Sequence, residues 1–163
     1  MDRLALANIM NVLTAMARSE IAVAKLYQLC AEPEGDGRQF WLKLEHEELR
    51  HAQLVDRLAE IITQRPDRFA PKRAMNFAAI QTFTRYVDSI AQRILANEIP
   101  RTDQRRLLTA ARDVEQSIIE SRYHELVISD EPEFQTLMQA IVADTTDHKN
   151  RIVARLATLS NPA

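Results

Sequence analysis

The sequence predicts an all-α fold: two antiparallel hairpins of long helices, joined by a helical crossover into a four-helix bundle. Three observations lead there. Glycine is almost absent, with only Gly35 and Gly37 in 163 residues, whereas strand-rich folds need turn glycines along the chain and nucleotide loops need them clustered before a helix. Apolar residues recur every three or four positions over segments of about 20 to 28 residues. Prolines and the glycine pair fall between these segments rather than inside them.

The first segment runs from about Leu4 to Ala31 and stops at Glu32-Pro33-Glu34-Gly35-Asp36-Gly37. The second covers about Arg38 to Gln64 and is closed by Pro66. A looser stretch with Pro66 and Pro71 leads to a third segment near Met75–Asn97, which carries Phe77, Ile80, Phe83, Val87, Ile90 and Ile94 at helical spacing. Pro100 ends it, and Thr102 or Asp103 is a suitable N-cap for a fourth helix, expected to reach about Ser129. The fifth begins near Glu133 after Pro132 and ends near Leu159. Short turns make helices one and two, and the last two, antiparallel neighbours, and the segment between the pairs is the crossover. Residues 1–163 form a single domain on this reading.

Charge and cysteine content narrow the function classes. The net charge is −2, with both signs mixed throughout. Arg101, Arg105 and Arg106 cluster beside a helix start, but no basic stripe offers the phosphate contacts that nucleic-acid binding needs. Cys30 is the only cysteine, so no intramolecular disulfide and no Cys-x-x-Cys metal site is available. No segment is apolar enough for a membrane span or a signal peptide, and the expectation is a soluble cytoplasmic protein without nucleic-acid or membrane partners.

The interruptions of the apolar stripes are the informative feature. Glu20 falls in register between Met16 and Val23 on the first helix, whose stripe also holds Ile9, Leu13 and Tyr27. Glu48 and His51 occupy the gap between Leu44 and Val55 on the second, in a stripe with Trp41, Leu58 and Ile62. Glu115 lies between Ala111 and Ile118 on the fourth, in line with Leu108 and Leu126. Asp144 or Thr145, together with His148, interrupts Leu137, Ile141, Ile152 and Leu159 on the fifth. Each bundle helix thus places an oxygen or imidazole donor on its core face near mid-length. Carboxylates converging in a low-dielectric interior repel and cost several kcal/mol each to desolvate, a cost that metal cations remove. Glu48-Leu49-Arg50-His51 sets a carboxylate and an imidazole one turn apart on one face, the spacing of carboxylate-bridged di-metal bundles. Glu45, His46 and Glu47 are read as pointing away from the stripe into solvent, and His124 as a partly exposed neighbour of Tyr123. A lone Glu-x-x-His is a weak pattern, and the coincidence over four helices is what carries the metal reading.

With these residues in place, the chain resembles the rubrerythrin branch of the ferritin-like superfamily over essentially the whole bundle. Glu20 and Tyr27 match that family's first-helix glutamate and tyrosine, Glu48-x-x-His51-Ala52 its second-helix motif, and Glu115 with Tyr123 its third. In the fourth bundle helix only His148 matches, because Thr145 stands where the family has a glutamate and the nearest acid is Asp144. The resemblance implies a non-haem di-iron centre in which Glu48 bridges, Glu20 and Glu115 are terminal carboxylates, and His51 and His148 serve one metal each. Tyr27 and Tyr123 would orient carboxylates, and Asp144 would supply the missing oxygen. It also implies a weakly held second metal, with manganese or zinc as alternatives to iron. A further glutamate that the family uses in peroxide chemistry is here Ile118, and no rubredoxin-like cysteine set is present.

The function implied is a metal-binding protein with a redox, oxygen, peroxide or iron-handling role, an oxidoreductase if an external electron donor serves it. The alternative is a degenerate, non-catalytic bundle acting as an interaction or scaffold protein. An iron-storage shell is disfavoured, because clusters of surface acids for mineral nucleation are not evident. Leu4, Leu6, Ile9, Met10 and Leu13, on more than one side of their helix, together with Phe77 and Phe83, exceed what one core needs, so a homodimer is expected.

Overall fold

The computed structural model describes residues 1–31, 37–72, 77–121 and 125–160. Among them are five α-helices: α1 (Arg3–Cys30), α2 (Arg38–Gln64), α3 (Phe77–Leu95), α4 (Gln104–Ser121) and α5 (Pro132–Ser160). Asp2 caps α1 by accepting a 2.8 Å hydrogen bond from the Ala5 amide. Asp103 does the same for α4 through the Arg106 amide at 3.1 Å. α3 ends in a left-handed residue, Asn97 (φ 58°). The Asn97 amide bonds Ile94 O at 3.0 Å and the Glu98 amide bonds Arg93 O at 2.9 Å, the crossed pattern that satisfies the last carbonyls of a helix. Asparagine is the non-glycine residue that tolerates this conformation best, which is how the chain stops a helix here without glycine.

α1 and α2 pack side by side and antiparallel, with Thr63 near the end of α2 reaching Met10 near the start of α1. α4 and α5 form a second antiparallel pair, in which Arg105 Nη2 donates to Leu159 O at 3.2 Å. α2 lies against α5, and α3 packs mainly along α1. The core between them is filled by Leu13, Met16, Leu26, Trp41, Leu44, Leu58, Leu108 and Ile152, all essentially fully buried. No helix of the described residues is long and apolar enough to cross a membrane.

Two features depart from the sequence reading. Helix four was expected to run to Ser129, but α4 ends at Ser121. The chain then forms a short strand β2 (Val127–Ser129), which pairs antiparallel with β1 (Phe69–Pro71) in the register Phe69↔Ser129, Ala70↔Ile128 and Pro71↔Val127. Scarce glycine argues against hairpins, yet this ribbon joins two distant loops and needs no tight turn. Phe69 anchors it by packing edge-on against Phe134 of α5, with ring centroids 5.1 Å apart. Secondly, the buried stripe of α5 begins with Phe134 and Met138 rather than Leu137, and Leu159 is exposed. Leu137 is half-buried.

Candidate metal centre

The apolar stripes of α1, α2, α4 and α5 carry their polar interruptions to one level of the interior. Glu20, Glu48, His51, Glu115 and His148 are all buried, the last three without measurable exposure. Glu48 is the hub. Its Oε1 lies 2.7 Å from His148 Nδ1 and its Oε2 lies 3.1 Å from His51 Nδ1. The two imidazoles stack at 5.2 Å between centroids, tilted by 19°. Glu20 Oε2 is 4.0 Å from His51 Nδ1, and Glu115 Oε1 is 3.6 Å from His148 Nδ1. One carboxylate thus stands between two imidazoles, with a further carboxylate on each flank. Donor atoms of Glu48, His51 and His148 all lie within 4.8 Å of one another, which makes this buried group able to hold a metal ion.

Tyr27, fully buried, donates its hydroxyl to Glu115 Oε1 at 2.5 Å. The other oxygen, Glu115 Oε2, is buried without a hydrogen-bond partner among the described residues. A buried carboxylate oxygen left bare costs about 1–3 kcal/mol or more, and a cation beside it would remove that cost. Tyr123, expected to act on the same group from α4, lies outside the described residues, as does His124.

Thr145 is buried one turn before His148, at the stripe position where a second Glu-x-x-His would have its carboxylate. Its hydroxyl donates to Ile141 O of its own helix at 2.9 Å and brings no charge to the centre. Asp144, the nearest acid, stands at the rim, its side chain one-third exposed and paired with Arg50. It contacts the outer nitrogen of His51, Nε2, at 3.4 Å rather than joining the three glutamates.

The outer faces of the histidines show an arrangement that stripe reading missed. Glu47 was expected to be solvated, but its side chain is largely buried, pairs with Arg151, and has Oε2 3.3 Å from His148 Nε2. That contact is out of line for a hydrogen bond, since Nε2 has no bonded partner among the described residues. Glu47 and Asp144 each precede the histidine of their own helix by four residues, and each reaches the histidine of the other helix. In the metal-free centre Nδ1 of each histidine donates to Glu48. A metal would displace those protons, and carboxylates beside the outer nitrogens favour the Nε2–H tautomer that this leaves. The only legible signal was the repeated spacing, Glu47 to His51 and Asp144 to His148. His46 is exposed and Glu45 half-buried.

Electrostatics divide the carboxylates into two states. Burial pushes Glu20 well above the usual carboxylate range, and the negative charge of Glu48 beside it adds to the effect. Glu115 is raised to about 7 by burial and by Glu48, against the opposing hydrogen bond with His148. Burial acts in the same upward sense on Glu48, but the hydrogen bonds from His148 and His51 outweigh it and hold Glu48 below its ordinary range. His148, which burial alone would lower, is instead raised to about 10 by Glu115 and Glu48. The metal-free centre therefore holds an anionic Glu48 against a cationic His148, with protons on the flanking acids.

A pH dependence follows. Raised Glu20 and Glu115 destabilise the metal-free fold as pH climbs from their ordinary 4.5 through about 7 for Glu115. The contribution of His148 is complete below its ordinary 6.5 and is lost as pH rises through about 10. Glu48, depressed, contributes above 4.5 and loses its share as pH falls further. Metal-free protein should therefore melt highest between about pH 4.5 and 6.5 and weaken steadily toward pH 10. Protonation of His148 supports this maximum. A melting temperature that climbs from pH 5 to 9 in chelated protein would contradict the assignment.

No protein-family model, curated protein or solved structure matches the chain. The class that fold and site define is therefore stated from geometry alone: an all-α, bundle-like protein with a buried Glu–His–His group able to bind a metal ion.

Proposed function

We propose that the protein is a ferritin-like, rubrerythrin-like metalloprotein whose centre binds iron, in a pair when fully loaded, for a redox, oxygen, peroxide or iron-handling role. The observation that carries this reading is Glu48 held between two buried imidazoles, with Glu20 and Glu115 on its flanks. In this proposal Glu48, His51 and Glu20 would hold one ion, and Glu48, His148 and Glu115 the other. Tyr27 fixes the Glu115 carboxylate through its hydroxyl. An iron pair, when bound, supplies one-electron steps toward oxygen or peroxide. The chain itself supplies a buried set of donors and carboxylates whose protons leave as the cations arrive. Manganese and zinc suit the same donors. Two helix pairs joined through α3 support the ferritin-like connectivity, and exposed Leu4 and Leu95 support a homodimer.

Untagged protein, reconstituted anaerobically with ferrous iron, is expected to retain metal through gel filtration and to melt higher than its chelated form. Elemental analysis that finds no retained iron, manganese or zinc would overturn the proposal. One observation favours a second reading, a bundle that has lost one ion position and serves as an interaction or scaffold protein. Thr145 spends its hydroxyl on Ile141 O, and Asp144 is held at the rim by Arg50. Retention of a single equivalent, with no reaction toward peroxide, would support that reading.

A further inference from the structure

Away from the metal centre, α1 and α3 enclose a groove of about 420 Å³ whose lining includes Arg18, Arg85, Asn11, Thr14, Gln81 and Phe77. No acidic side chain of the described residues lines it. Neither arginine has a carboxylate partner among the described residues, and Arg85 donates only to the Thr82 hydroxyl at 3.1 Å. Elsewhere Arg50, Arg57, Arg65, Arg68, Arg112 and Arg151 are each paired with an acid. Two cations on one groove that no acid of the described residues lines repel, and an anion between them would relieve that repulsion. Asn11, Thr14 and Gln81 add further donors around them. Phe77, 42% exposed, offers an uncovered ring on the same wall.

We propose that this groove binds a small phosphate monoester that carries an aromatic ring. Two guanidinium groups match the charge of about −1.5 to −2 that a phosphate monoester bears at neutral pH, whereas a carboxylate would leave one unmatched. Guanidinium forks bond phosphate oxygens bidentately, and the neutral donors complete the shell. The ring of the ligand lies on Phe77, because offset or edge-on aromatic contact extends apolar burial beside the charged end. This inference stands on α1 and α3 and is independent of whether the centre holds metal.

Calorimetric titration at low salt with phenyl phosphate, inorganic phosphate and benzoate tests it. Phenyl phosphate is expected to bind with one site per chain, about tenfold tighter than either of the others, and to weaken as salt is raised. Arg18→Gln and Arg85→Gln should each weaken it about tenfold, and Phe77→Leu should bring its affinity down to that of inorganic phosphate. Arg18 and Arg85 are exposed, so both variants are expected to keep the helical circular dichroism and melting temperature of the parent. Equal binding of benzoate, or phenyl phosphate binding unchanged in both arginine variants, would overturn the proposal. So would binding seen only with phosphatidic-acid vesicles, which would make the groove a lipid-headgroup surface.

Discussion

Glu48→Ala should cost about 3–5 kcal/mol of stability and abolish metal retention, the largest effect expected of any single substitution. Glu48 is the anion that both buried imidazoles face, at 2.7 Å and 3.1 Å. Without it, cationic His148 keeps Glu115 at 3.6 Å from Nδ1, a group itself raised to about 7, and Glu47 at 3.3 Å from Nε2, where the contact is out of line and shared with Arg151. The bundle must then bury an under-compensated charge or release the proton, and either route removes stability. Urea unfolding followed by circular dichroism reads the loss as a lower midpoint with an unchanged slope. Glu48→Gln separates packing from charge: it fills the same volume, so it should cost less than the alanine variant while losing metal as completely. If Glu48→Gln retained iron at wild-type level, Glu48 would not be a bridging ligand.

Thr145→Glu should have the next largest effect, with opposite signs for the two forms of the protein. The position is buried in the stripe, one turn before His148. A carboxylate there completes a second Glu-x-x-His opposite Glu48-x-x-His51. With metal absent it adds a fourth acid to a pocket where Glu20 and Glu115 already hold protons because of burial and Glu48. It should therefore destabilise the chelated protein by about 2–4 kcal/mol at pH 8, and less near pH 5. With metal present, a second equivalent of ferrous or manganous ion should bind at least about tenfold tighter than in the wild type. Asp144→Asn is the comparison: Asp144 touches the outer nitrogen of His51 rather than the three glutamates, so its loss should loosen the first equivalent by about tenfold. If Asp144→Asn released all metal while Thr145→Glu did nothing, Asp144 would be the missing ligand.

The centre was legible because its residues violate a strong pattern. Glu20, Glu48, His51, Glu115 and His148 fall where a 3.6-residue period demands leucine, and all five are buried at one level. Helix starts were legible where a short polar side chain bonds the backbone, as at Asp103. What stayed hidden is tertiary in origin. The β1–β2 ribbon has no local signature, since it pairs loops far apart in sequence. Glu47 sits at the edge of the stripe, so hydrophobic periodicity files it with solvated residues. Asp144 reads as a stripe position and a ligand, and only the approach of α2 to α5 brings each acid against the other helix's histidine. Thr145 could be placed on the core face from sequence, but its bond to Ile141 O could not.

The connections that make the centre are among the longest in the sequence: Glu48 and His148 are 100 residues apart, and Tyr27 and Glu115 are 88 apart. A ribosome releases α1 and α2 well before α5, so Glu20, Glu48 and His51 spend part of synthesis without the residues that complete their pocket. Local helix pairs form quickly, whereas contacts of this separation wait for both halves of the chain. His148 arrives last, in the final helix. Capture of the proposed metal would thereby wait for the last bundle helix, since a chain stalled before α5 carries Glu20, Glu48, His51 and Glu115 without His148 to complete the centre.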